Sequence, residues 1–210
     1  MARKTMFHVS ILLGLLFALA AFSSPAAALS CGDTITASTT LTGNLGPCSG
    51  NGIVIGANNI ELNCNGYSIT GTGTGNGIYL SGRTNVTIKN CIISKFSYGI
   101  YLYSSSNNTL TNNTANYNSN WGIYLKSNSN NNTLANNTAN SNSNCGINLE
   151  SSSYNTLTNN TFNSNQVRGV YLTRGSYNTF TNNLFSSNSN EGIWSESAAR
   201  NIFTNNIFSN

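Results

Sequence analysis

The chain has 210 residues, 7% of them charged, against about a quarter in ordinary globular domains. The formal charge is +4, and with Arg3 and Lys4 set aside in a leader the remainder is seven basic against five acidic residues, or +2, so nucleic acid is not an expected partner. About 40 asparagines make up the missing polarity, and the sole histidine, His8, and both methionines, Met1 and Met6, fall in the first ten residues, which excludes histidine bases and histidine or methionine metal sites from the rest.

In chain order, residues 1–30 read as a signal peptide. Arg3 and Lys4 form its basic start, Phe7 to Phe22 its apolar run, and Pro25-Ala26-Ala27-Ala28 its small-residue region, with cleavage after Ala28 or Ser30. Ala28-Leu29-Ser30-Cys31 also resembles a lipoprotein signal, in which Cys31 would carry lipid. The apolar run is about 16 residues, short of the roughly 20 a spanning helix needs, so no integral membrane span is expected after cleavage. Residues 31–50 do not repeat and read as an N-terminal cap. Cys31 and Cys48 bracket this segment, and a disulfide between them is the expected pairing. Cys64 and Cys91, about one long turn apart, either pair or remain two buried thiols, and Cys145 is left as a free thiol.

From residue 51 to 210 two anchors alternate. Gly-Ile-Tyr-Leu occurs at Gly77, Gly99 and Gly122, and recurs in varied form at Gly146, Gly169 and Gly192, at steps of 22, 23, 24, 23 and 23. Asn-Thr-Leu-Thr-Asn-Asn and its variants begin at Asn108, Asn132, Asn155, Asn178 and Asn201 with the same period, and Gly52-Ile53-Val54-Ile55 opens an earlier, less regular turn. Apolar and polar residues alternate within each anchor, which specifies short strands, and no helical spacing recurs. A period of about 23 that holds two or three strands and their bends makes a solenoid of about seven turns in which each strand pairs in parallel with its copy one turn on. The fold class expected from the period is all-β, a parallel β-solenoid with an N-terminal cap.

Stacking one period on the next predicts core columns Ile88, Leu110, Leu134, Leu157, Phe180, Phe203 and Ile93, Ala115, Ala139, Phe162, Phe185, Phe208. The second Asn of each pair, Asn113, Asn137, Asn160, Asn183 and Asn206, is placed inward as an amide ladder. Spacing alone also permits the first Asn to point inward.

The repeated Asn-Asn-Thr-Leu-Thr-Asn-Asn-Thr followed by Gly-Ile-Tyr-Leu resembles the right-handed β-helix repeats of the NosD-type and carbohydrate-binding and sugar-hydrolase (CASH) group. That resemblance implies that the solenoid is a single-stranded right-handed parallel β-helix, and that the protein is a polysaccharide lyase, hydrolase or epimerase, a copper accessory protein, or a surface protein without catalysis. The acidic inventory narrows the choice. Asp33 is the only aspartate, there is no histidine after the leader, and no ligands for copper remain. Glu150 and Glu196 stand two turns apart, about 9.6 Å at the backbone, at the edge of an inverting pair's separation. The competing reading, a solvated ladder with Lys126 beside Glu150, is preferred, so no catalytic residue, metal or cofactor is assigned.

Tyr79, Tyr101, Tyr124, Tyr171 and Trp194 share one outward position, interrupted by Asn148, and form the expected carbohydrate-binding column, with Tyr171 and Trp194 its best pair and Arg174 nearby for an acidic sugar. Cross-strand aromatic packing is the alternative role for the same rings. The expected partner is a polysaccharide or cell-envelope glycan, and the expected location is secreted, extracellular or periplasmic, with surface attachment as the alternative to free release. Asn-x-Thr triplets stand at Asn85, Asn107, Asn112, Asn131, Asn136 and Asn159. The repeat breaks off partway through a turn without a second cap, so a longer protein or end-to-end self-association is expected.

Overall fold

The computed structural model describes residues 29–209, so the leader lies outside the described residues. The chain coils through strands of two to six residues, and each pairs in parallel with its equivalent one turn away. The first sheet has eight strands: Asp33–Ile35, Ile53–Ile55, Asn76–Ser81, Tyr98–Tyr103, Trp121–Lys126, Cys145–Glu150, Arg168–Thr173 and Ile193–Glu196. A second eight-stranded sheet runs from Thr39–Thr40 to Ile202–Thr204. A third wall begins with Leu45–Cys48, Ser68–Gly71, Ile92–Ser94 and Thr114–Asn116. It thins to single bridges at Thr138 and Thr161 and resumes at Leu184–Ser186 and Ile207–Ser209.

Each wall buries alternate residues in one continuous core. In Tyr98–Tyr103, Ile100 and Leu102 are 0% exposed while Tyr101 and Tyr103 face out. Both predicted columns are present: Ile88, Leu110, Leu134, Leu157, Phe180 and Phe203 follow one another in register, and Phe162, Phe185 and Phe208 stack with centroids 5.4 and 4.9 Å apart. The glycine of Gly-Ile-Tyr-Leu is required by close approach rather than by its dihedrals. A Cβ on Gly99 would lie 2.5 Å from the Gly122 carbonyl oxygen and 2.9 Å from the Ala115 Cβ.

The corners are left-handed residues. Within one turn Ser104, Asn107, Asn112 and Tyr117 have φ of 48°, 58°, 55° and 57°. Asparagine tolerates this conformation best among non-glycine residues, which is why each Asn-Asn pair splits: the first bends the chain and the second points inward. Asn113, Asn137, Asn160 and Asn183 are therefore at most 1% exposed. Asn113 donates from Nδ2 to Asn137 Oδ1 at 3.0 Å and to the Ile88 carbonyl at 2.9 Å, and its backbone N–H donates to the same Oδ1 at 3.0 Å. Two further ladders run beside it, Asn108–Asn132–Asn155–Asn178–Asn201 and Asn118–Asn142–Asn165–Asn188. The amides thus supply the partners that buried polar groups require.

The turn count is eight, not seven. Residues 33–48 lack both anchors, so a motif count passes over them, yet Ile35, Leu41 and Leu45 fill inward positions and their strands pair with Ile53–Ile55, Glu61–Asn63 and Ser68–Gly71. Among the described residues this segment is the outermost coil at the N-terminal end. Cys31 is bonded to Cys48, which leaves no thiol for the lipid-bearing alternative, and Cys64 is bonded to Cys91. Cys145 is free and buried.

Candidate glycan-binding face

The first sheet's longer strands, six residues in the middle turns, carry three columns of side chains on the side away from the core. The central column is the predicted one: Tyr79, Tyr101, Tyr124, Asn148, Tyr171 and Trp194 are consecutive partners across neighbouring strands. On one side lie Tyr98, Trp121, Cys145 and Arg168, and on the other Tyr103, Lys126, Glu150, Thr173 and Glu196.

The column is divided in two. Toward the N-terminus, Tyr79, Tyr98, Tyr101, Tyr103, Trp121 and Tyr124 form one aromatic cluster. Tyr101 and Tyr124 lie face to face at 4.8 Å with 8° between planes, and Trp121 meets Tyr124 edge-on at 4.2 Å. Their faces are used on one another, and Tyr124 is only 3% exposed. Burial and the neighbouring tyrosines push the Tyr101 hydroxyl up to about 12. Burial and a hydrogen bond to Glu150 drive Tyr124 higher still. Toward the C-terminus, the Arg168 guanidinium lies 5.4 Å from the Tyr171 ring centre and 5.0 Å from that of Trp194 and bonds Glu191 at 2.7 Å, while Trp194 remains 41% exposed. Tyr171 and Trp194 are thus joined through a guanidinium, and the open ring is Trp194.

The two glutamates are held rather than free. Glu150 is bonded by Arg174 at 3.3 Å and Lys126 at 3.6 Å and accepts the Tyr124 hydroxyl. Glu196 accepts the Tyr171 hydroxyl at 2.8 Å, and Thr173 stands between the two carboxylates in the column. The arrangement repeats: a tyrosine in one turn serves a glutamate two positions further along in the next. Trp121 Nε1, Asn148 Oδ1 and Thr173 Oγ1 are buried on this face without a hydrogen-bond partner among the described residues.

A second aromatic pair escaped the sequence reading. Tyr154 and Tyr177 stack at 5.0 Å with 5° between planes, are 55% and 40% exposed, and occupy left-handed corners where earlier turns carry Asn107 and Asn131. Arg200 lies over Tyr177 at 5.4 Å. The available signal was an aromatic ring in an asparagine register position, an uncommon residue for that backbone. Among the described residues no helix is long and apolar enough to cross a membrane.

A family model described as right handed beta helix region matches residues 51–208. No curated protein sequence matches the chain. Solved structures similar to it include the A-module of the Azotobacter vinelandii mannuronan C-5 epimerase AlgE6, at 17% identity and a TM-score of 0.67 over 80% of this chain and 48% of that one. The periplasmic alginate epimerase AlgG is similar at 17% identity and 0.59, over 75% and 47%. The enzymatically active domain of bacteriophage CBA120 tailspike protein 2 is similar at 12% identity and 0.61, over 81% and 38%. The chain spans less than half of each, and at these identities the likeness is one of fold.

Proposed function

The chain belongs to the right-handed β-helix family, and from that membership we propose a secreted or surface-attached, non-catalytic protein whose ligand is a polysaccharide or cell-envelope glycan. The observation that carries the reading is the outward face of the first sheet, where the exposed Trp194 ring adjoins the Arg168 guanidinium and Tyr171, whose hydroxyl is bonded to Glu196. Rings suit the apolar faces of sugars, and the carboxylate and guanidinium edges suit their hydroxyls and carboxylates. Tyr79, Tyr101 and Tyr124 belong to the same column and support its geometry, while Tyr171 and Trp194 make the contact. The names of the structural neighbours, alginate epimerases and a tailspike, favour a polysaccharide partner. The two disulfides and the leader favour a location outside the cytoplasm, extracellular or periplasmic.

A non-catalytic role is favoured because Glu150, the best-placed carboxylate, is tied by a lysine, an arginine and a tyrosine. The runner-up is a polysaccharide-active enzyme, lyase, hydrolase or epimerase, favoured by the same neighbours' names. A NosD-like accessory role without copper ligands of its own stands behind it. A panel of neutral and acidic polysaccharides separates these: retention in affinity electrophoresis without release of reducing ends or unsaturated uronates is expected, and turnover would establish the enzyme. Tyr171→Ala with Trp194→Ala should abolish retention with the far-ultraviolet circular dichroism unchanged. Equal retention by parent and double mutant would leave the rings a structural role only.

A further inference from the structure

Six Asn-x-Thr triplets remain without a role, and the structure divides every one between outside and inside. The acceptors Asn85, Asn107, Asn112, Asn131, Asn136 and Asn159 are exposed and left-handed, with φ between 55° and 58°. The middle residues Val86, Asn108, Asn113, Asn132, Asn137 and Asn160 are 1% exposed and lie in the core or its amide ladders. The third residues, Thr87, Thr109, Thr114, Thr133, Thr138 and Thr161, turn outward again and are accessible. Each triplet therefore presents its amide and its hydroxyl on the same surface. Asn85 and Asn112 donate from Nδ2 to Asn59 and Asn90 at 2.9 and 3.5 Å, whereas the amide nitrogens of Asn107, Asn131, Asn136 and Asn159 have no partner among the described residues.

Register sorts the acceptors into two rows. Asn85, Asn107 and Asn131 precede the second-sheet strands Thr87–Lys89, Thr109–Thr111 and Thr133–Ala135, and Asn112, Asn136 and Asn159 follow strands of that sheet. The rows thus run along both margins of the second sheet. The pattern stops after Asn159, because Leu184 and Ile207 replace the threonine in the last two turns, and no triplet lies on the aromatic face of the first sheet.

We propose that these rows are N-glycosylation sites for an oligosaccharide carried on a polyisoprenyl phosphate, a proposal that rests on the exported reading above. The asparagine amide nitrogen displaces the carrier at the anomeric carbon. The bond from that carbon to the phosphate oxygen breaks, a carbon–nitrogen bond forms, the amide loses one proton, and the carrier leaves as its phosphate. Glycans on the two margins cover the second sheet and leave the ligand face of the first sheet open. Neighbouring acceptors in a row are about 4.8 Å apart, so glycans on adjacent turns crowd one another and occupancy alternates.

Peptide mass spectrometry of the full chain, recovered from outside the cytoplasmic membrane of its own cells, tests the proposal. Glycan is expected on at least one asparagine of each row and on none of the later Asn-Asn pairs. Thr109→Val with Thr133→Val should remove it from Asn107 and Asn131 and leave Asn112 and Asn136 as before. An exported chain without glycan overturns the proposal, as does added mass at Asn107 or Asn131 that survives the threonine changes. A chain found only in the cytoplasm overturns the export reading and this proposal with it.

Discussion

The two asparagines of each pair are identical in sequence and opposite in energetics. Asn137 accepts from the backbone and side chain of Asn113, donates to the Leu110 carbonyl and passes the ladder on to Asn160. Asn137→Ala orphans buried donors on Asn113 and leaves the Leu110 carbonyl without that bond, so a loss of about 3 kcal/mol is expected in denaturant unfolding. Asn136 only bends the chain at φ 55°, and Asn136→Gly should change stability by no more than about 0.5 kcal/mol, since glycine adopts that conformation freely. Equal effects at the two positions would count against the ladder as the source of rigidity. Tyr101 makes a pH prediction. Its folded value, about 12, lies above the ordinary tyrosine value of 10.0, so the folded state holds the phenolic proton more tightly. The stability this confers is fully present below pH 10 and is lost as pH rises toward 12. Tyr101→Phe should reduce the slope of alkaline destabilisation across that window, read by tyrosinate absorbance and circular dichroism together.

Among strands, the unit of stability is the turn and its neighbours, because each turn touches only the two beside it. The N-terminal coils have the poorest amide ladders, since Val86, Cys91 and Phe96 stand where Asn108, Asn113 and Asn118 begin the ladders one turn later. Covalent links replace the amides there: Cys31–Cys48 closes a separation of 17 and Cys64–Cys91 one of 27. For the longer loop the chain-entropy model gives about 3.5 kcal/mol, so Cys64→Ser with Cys91→Ser should lower the unfolding free energy by about that amount. Hydrogen exchange should show the loss concentrated in residues 33–96, and a uniform loss along the solenoid would contradict the nearest-neighbour picture. Cys145 is a different case. Burial pushes its thiol up to about 11 and it donates to Asn144 Oδ1 at 3.1 Å, which makes it a filler of the outward column rather than a redox partner.

For the rod as an entity, the two ends differ. The first coil is crossed by a disulfide, whereas Ile202, Phe203, Ile207 and Phe208 are 57, 45, 61 and 56% exposed on the last described rung. Parallel strands with open hydrogen-bonding edges and apolar side chains favour pairing with another copy. A polypeptide made of these 210 residues alone is therefore expected to associate with rising concentration in sedimentation velocity, and Phe203→Glu with Phe208→Glu should return that polypeptide to a monomer. A monomer at every concentration would refute this.

The periodicity carried most of the architecture, because in a parallel solenoid the residue one period on is the spatial neighbour. Alignment of Tyr79 with Tyr101, or Phe162 with Phe185, is already a statement of contact, and the core columns and the aromatic column followed from counting. Counting failed where the repeat carries no motif, at the coil of residues 33–48, and where contact depends on side-chain direction. Which asparagine points inward was settled by the left-handed corner, which turns Asn136 out and Asn137 in. That Glu150 is clasped by Lys126, Arg174 and Tyr124, that Arg168 joins Tyr171 to Trp194, and that Cys64 meets Cys91 all depend on rotamers crossing between turns. A one-dimensional repeat fixes which backbones are adjacent; the side chains of three outward columns choose their partners only when the sheet brings them together.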